Sequence, residues 1–206
     1  MTIFRGVRCL SLLLVLAIAS IPNVLRADAT LPDNSNEALA YVKDVSDKAL
    51  SIITDSKVKE GDKTAKLSKL FEDSVDTQWI ARFAMGTYWR DASDEQKNEY
   101  TKLHKQFLIN SYVPKFKQYT NQKIVIKKAH LTDTDNEYMV ETEIVNADGV
   151  SISVDYKVRK NNNGKYQIFD VVAEGVSLIT TQRSEFGSIL SRKGVDSLIT
   201  QLKGRV

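Results

Sequence analysis

Residues Phe169 to Phe186 read FDVVAEGVSLITTQRSEF: a strand-like apolar run, a break at Glu174-Gly175, then Leu178, Ile179, Phe186, Ile189 and Leu190 at helical spacing. A strand that passes through a glycine turn into an amphipathic helix offers two apolar surfaces to one interior. The run carries no nucleophile or metal-ligand pattern, so its contribution is shape. Just upstream, Val150, Ile152, Val154, Tyr156 and Val158 alternate with Ser151, Ser153, Asp155, Lys157 and Arg159, the pattern of a half-buried antiparallel strand. Ala147-Asp148-Gly149 joins it to Tyr138–Asn146, and Asn161-Asn162-Asn163-Gly164 joins it to Lys165–Val172. Both links have hairpin chemistry. Lys123–Ala129 supplies a fourth strand.

Before residue 122 the period is helical. Ala38, Val42, Val45, Ala49, Ile52 and Ile53 mark a first amphipathic helix, and Lys63–Phe71 a second, after Gly61-Asp62. Asp76 is an N-cap and Gly86 a C-terminal stop for a third. Ser93 and Gln96 make a capping box for a long helix with Tyr100, Leu103, Phe107, Leu108 and Tyr112 on its buried side. Pro114 should kink or end that helix, with Phe116 and Tyr119 as a last turn. Two short helices are expected around Gly194. Helices, then a four-stranded meander, then helices is α+β ordering.

Arg5, Arg8 and the apolar stretch Leu10–Ala19 read as a secretory signal peptide, residues 1–27, with cleavage after Ala27 or after Ala29. Pro22, Asn23 and Arg26 interrupt the stretch before it reaches the roughly 20 residues of a membrane span. Residues 28–206 then form a single domain with a helical appendage. Removing residues 1–27 takes away Arg5, Arg8 and Arg26 and no acid, which balances the remaining basic residues against the 26 acidic ones. That balance gives no support to nucleic-acid binding. Cys9, the one cysteine, lies in the signal segment, so disulfides, thiolate nucleophiles and cysteine metal sites are excluded from the mature chain.

The candidates for chemistry are few. His104 and His130 have no partner at metal-ligand spacing and read as surface residues. Glu137, Glu141 and Glu143 share the strand face opposite Tyr138, Val140 and Ile144, which makes them solvated rather than a carboxylate dyad. No G-x-S-x-G and no glycine-rich phosphate loop is present, so no catalytic residue is expected. Apolar and aromatic side chains are plentiful: Tyr138, Val140, Ile144, Ile152, Val154 and Tyr156 from the sheet, and Ile80, Phe83, Tyr88, Trp89, Phe107 and Tyr112 from the helices. They form a core if helices and sheet close fully, and an apolar pocket if the two stand apart.

Two segments carry a resemblance. Asp170, Val171, Glu174, Gly175, Val176, Ser177, Leu178, Ile179, Arg183, Ser184 and Phe186 match one run of the MlaC/Ttg2D family, and Ile80, Ala81, Met85, Gly86, Trp89, Ala92, Ser93 and Gln96 match a second. Pro114 departs from the family's helix-continuing residues. The resemblance implies a periplasmic phospholipid-binding carrier of the toluene-tolerance kind, with N-terminal helices on a curved sheet in a nuclear-transport-factor-2-like cone. It implies a bound phospholipid and no other cofactor. Implied partners are an inner-membrane ABC complex with an MCE-domain component and an outer-membrane lipoprotein–porin complex that together maintain outer-membrane lipid asymmetry; the carrier itself is expected to be a monomer.

Under that resemblance Ile80, Phe83, Tyr88, Trp89, Phe107, Tyr112, Tyr138, Val140, Val154, Tyr156, Val176, Leu178 and Ile179 are candidates to line the lipid pocket. Arg183 either meets a headgroup or docking partner, or pairs with Glu174 or Glu185 to hold the strand-to-helix corner. The lysines Lys115, Lys117, Lys123, Lys127 and Lys128 are a solvated face or a surface for acidic partners. A related cone hosts small isomerases and dehydratases, for which Tyr138 and Tyr156 would be the candidate acid-base groups. The sequence is also compatible with a periplasmic lipoprotein chaperone or with a structural protein whose core is filled.

Overall fold

The computed structural model describes residues 33–117 and 122–206. The signal-peptide reading and Tyr119 lie outside the described residues. Four helices precede the long one: α1 (Ser35–Thr54), α2 (Glu60–Ser74), α3 (Thr77–Met85) and the single turn α4 (Tyr88–Asp91). The long helix α5 (Asp94–Phe116) is followed by strands β1 (Lys123–Leu131), β2 (Glu137–Val145), β3 (Ser151–Lys160), β4 (Tyr166–Ala173) and β5 (Val176–Ser177), and α6 (Leu178–Lys203) ends the fold.

The helix ends follow their local chemistry. Asp76 caps α3 by accepting from the Trp79 N–H at 3.0 Å. Ser93 and Gln96 form the reciprocal capping box of α5, at 3.2 and 3.0 Å, satisfying two N–H groups that the helix leaves without partners. Pro114 sits in the last turn of α5, which ends at Phe116. Gly194, at φ 76° and ψ −179°, breaks α6 into the two expected pieces.

The five strands form an open antiparallel meander in the order β1-β2-β3-β4-β5. Periodicity predicts four strands; the fifth is two residues of the Val176-Ser177 corner, paired with Val172 and Ala173. Two irregularities, at Ile126/Lys128 and at Lys157/Val158, bend the sheet and shift strand parity. The second leaves Phe169 and Asp170 buried in succession on β4, which simple alternation does not anticipate.

Helix α1 lies on β1, β2 and β3, and its small residues Ala38 and Val42 let it approach closely over Tyr138, Val140, Val158 and Ile168. Helices α3, α5 and α6 pack on one another around Ala81, Ala84, Tyr100, Phe186, Leu190 and Leu198. That unit sits off the free edge of β4, where Val75 makes one parallel bridge to Ile168. Asp170 fastens the corner: its carboxylate accepts from Ser177 Oγ at 2.7 Å and from the Ile179 N–H at 3.3 Å in the first turn of α6.

Candidate functional site

Cross-strand partners share a sheet face, so the register sorts the inner surface into rows. Leu131, Tyr138, Val158 and Ile168 form one row, and Ala129, Val140, Tyr156 and Val171 the next. Beyond them lie Val154, Ala173 and Val176, then Ile124, Ile144 and Ile152. Exposure is uneven across these rows, with Leu131 at 38% in the first and Ile144 at 7% in the last. Val140 and Val158 are 0% exposed under α1, Tyr156, Val154 and Val171 are half-buried, Ile152 is 38% exposed and Val176 55%. Exposing apolar area of this kind costs about 25 cal/mol per Å², so the positions left uncovered are the ones that need explaining.

The uncovered half has a physical cause. Helix α5 packs on α2, α3 and α6, and among the described residues it makes no extended contact with any strand. The apolar clusters therefore meet edge to edge. Val75 is shared by the α1–sheet cluster and by the cluster around Ile80, Leu108 and Ile179, and Phe71 links the latter to the cluster around Ile53, Ile109 and Val113. Phe71, Val75, Tyr112, Tyr156 and Val171, which border this junction, are all only half-buried. In a filled core such meeting points would be the best-covered residues. Burial still raises the pKa of the Tyr112 phenol, with the charges of Asp170 and Glu185 adding to the effect.

The candidate residues fall into groups. Ile80 and Ile179 are buried among the helices, with Phe83, Phe107 and Tyr112 half-buried beside them. Tyr88 and Trp89 pack against the α3–α5–α6 core. Tyr138 and Val140 are buried beneath α1; Val154, Tyr156 and Leu178 are half-buried; Val176 is exposed. The expected pocket residues do not include Phe71, Val75, Val171 and Ala173. Phe71 belongs to the helical stretch that periodicity expects, Val75 is the C-cap that ends α2, and the β4 irregularity hides the parity of the others.

Arg183 pairs with neither expected acid. The Glu174 carboxylate accepts from the Ser153 N–H at 2.6 Å, and Glu185 is bound by Arg205 at 2.9 Å. The Arg183 guanidinium instead lies 4.8 Å from the centre of the Phe83 ring, against Gly86, so it ties α6 to the end of α3. Gly86 has φ +61°, and a Cβ there would sit 3.3 Å from the guanidinium. Gly86→Ala should lower stability by about 1–3 kcal/mol through backbone strain and this crowding, read as a lower urea midpoint at unchanged slope. An unchanged midpoint would refute the arrangement.

His104 is a second correction: it is fully buried in the α3–α5–α6 unit and bonded to Gln182 at 2.8 Å. His130 is exposed on β1, as expected, near Glu141. Lys128 and Lys127 pair with Glu141 at 3.3 Å and Glu143 at 2.9 Å, so those carboxylates are neutralised across the strands and do not face each other as a dyad. Among the described residues no group of three or more His, Cys, Asp or Glu could hold a metal ion, and no helix is long and apolar enough to cross a membrane.

A meander sheet and a helical unit that meet around a half-covered apolar junction place the chain among mixed helix-and-sheet proteins. The sequence profile described as MlaC protein matches residues 43–204, and the chain belongs to that family. It is 28% identical over 131 residues to the intermembrane phospholipid transport system binding protein MlaC of Haemophilus influenzae, covering 63% of this chain and 61% of that one. It is 24% identical over 131 residues to the toluene tolerance protein ttg2D of Pseudomonas putida, covering 63% and 60%. The matched region thus spans about three fifths of the length of these curated relatives. Among solved structures, the phospholipid-binding protein from Ralstonia solanacearum in complex with a phospholipid superposes with a TM-score of 0.71 at 26% identity, covering 82% of this chain and 96% of that one.

Proposed function

We propose that the protein is a periplasmic carrier that holds a phospholipid by its acyl chains and moves it between the inner and outer membranes. The observation that carries this reading is the half-covered apolar junction at Val154, Tyr156, Val171, Val75 and Tyr112, in a chain whose fold matches a phospholipid complex. At ~0.8 kcal/mol per buried CH2, a chain of about a dozen methylenes carries roughly 10 kcal/mol of transfer free energy, so unassisted passage through water is prohibitively slow. An apolar interior replaces the bilayer for the tails and leaves the charged headgroup at the mouth in water, avoiding a desolvation cost of several kcal/mol. No bond is broken, and the exchange is nearly thermoneutral. Direction therefore comes from the partners, an inner-membrane ABC complex with an MCE-domain component and an outer-membrane lipoprotein–porin complex. The exported chain begins after residue 27 or 29, and it carries the lipid as a monomer.

Native mass spectrometry of the protein purified from periplasm tests this. One phospholipid per chain, identified after extraction, is the expected result. A consistently lipid-free protein that also fails to take up phospholipid from vesicles would overturn the reading.

A further inference from the structure

A second apolar surface lies between α1 and α2, with Tyr41 and Val45 packed on the same cluster as the junction residues Val75, Tyr156 and Val171. The two helices run antiparallel and are tied near both ends. Tyr41 Oη donates to the Ser74 carbonyl at 2.9 Å, and Lys63 Nζ donates to the Ile53 carbonyl at 2.7 Å. Between these ties the helices leave a groove of about 720 Å³, whose apolar lining is Tyr41, Val45, Ile52, Ala65 and Leu70. That volume is within the range of about 300–1,000 Å³ typical of small-ligand sites. Burial pushes the Tyr41 phenol up to about 12, as expected for a ring lying in this apolar lining.

The rim carries Lys48, Lys66, Lys69 and Lys165 against Asp44 and Asp73. Both acids are already committed, Asp44 to Lys48 at 2.7 Å and Asp73 to Lys69 at 2.6 Å. Lys66 and Lys165 have no ion-pair partner among the described residues, leaving the rim with two surplus positive charges. An apolar lining alone would accept any greasy chain. A lining with surplus cations at its edge favours a molecule that joins one chain to one anionic group, because lysine attracts phosphate as a point charge while the chain gains by leaving water. The inner sheet rows at the junction, by contrast, carry no lysine or arginine.

We propose that the α1–α2 groove is a second site that binds a single-chain anionic amphiphile, with the chain along Val45, Ile52 and Leu70 and the phosphate between Lys66 and Lys165.

The test titrates the full mature protein, with its phospholipid bound, with lysophosphatidylglycerol below its critical micelle concentration; lysophosphatidylcholine and inorganic phosphate are run in parallel. Saturable binding of lysophosphatidylglycerol is expected, weakened at least tenfold in the doubly substituted Lys66→Glu, Lys165→Glu protein. Lysophosphatidylcholine should bind more weakly and respond little to those changes. Ala65→Trp, on the exposed part of the groove's lining, should block both by filling the groove. Equal affinity for inorganic phosphate would reduce the site to a surface anion contact and overturn the proposal. So would binding that neither set of substitutions changes. One-for-one displacement of the resident phospholipid, read by native mass spectrometry, would place the amphiphile in the junction and overturn it as well. The carrier reading is judged separately, by whether the wild-type protein retains its diacyl phospholipid.

Discussion

Replacing Val154 with arginine is expected to reduce co-purifying phospholipid at least tenfold while leaving the far-ultraviolet circular dichroism unchanged. Val154 lies on the inner face of β3, opposite Ala173 and one row from Tyr156, at the point where α1 no longer covers the sheet. Its half-buried position lets an arginine lay its stem on the surface and reach water, so folding tolerates the change. A bound acyl chain would trap the guanidinium away from water, at a cost of several kcal/mol without a paired anion. Even half of that is enough for a tenfold loss. Ser153→Arg is the control, because Ser153 opposes Glu143 on the outer face and should retain lipid. Full lipid in Val154→Arg would mean that the tails lie elsewhere. Loss in both variants with intact helicity would mean that the effect is not specific to the face.

The parts of the fold that are legible in the sequence are those whose signal is local. The cap at Asp76, the capping box at Ser93 and Gln96 and the stop at Gly86 each depend on residues within a few positions of one another. The alternation of β2 is equally local, and its buried positions are Tyr138, Val140, Thr142 and Ile144. What is not legible depends on which element lies opposite. The β3 pattern alternates fully in sequence, yet only Val158 is buried, because α1 covers one end of the strand. Helix α5 contacts α2 on one side and α3 and α6 on another, so its buried set is Tyr100, His104, Leu108, Ile109 and Val113 rather than one stripe. Lysines around His104 give it the look of a surface residue, although its neighbours four positions away in each direction, Tyr100 and Leu108, are both buried. The candidate site is legible as a set of apolar residues and not as a geometry. Tyr138 and Tyr156 carry the same sequence signal, and only tertiary cover separates a buried core residue from one at the junction.

His104 should make the fold lose stability as pH falls from about 6.5 towards 4. Its ring is enclosed by Tyr100, Phe107 and Phe186, with centroids 5.4, 6.4 and 5.8 Å away, and Nε2 donates to Gln182 Oε1 at 2.8 Å. Nδ1 is buried with no partner, so a proton added there would be a charge without water or a counter-ion. Burial pushes the pKa down to about 4 from an ordinary 6.5, opposed only in part by the Gln182 bond. The native state therefore keeps a neutral ring over a pH range in which the unfolded chain binds a proton. Stability from this group is fully present above pH 6.5 and is lost progressively as pH falls through the folded-state value. At about 1.4 kcal/mol per pH unit the whole window is worth roughly 3 kcal/mol. The doubly substituted His104→Leu, Gln182→Leu protein removes both members of the buried pair, leaves no orphaned partner and should unfold with a much flatter pH dependence between 7 and 4.5. Chemical denaturation at those two pH values measures the difference. Surface carboxylates titrate alike in both proteins, so equal losses of stability in the two would show that His104 does not hold the neutral form the packing requires.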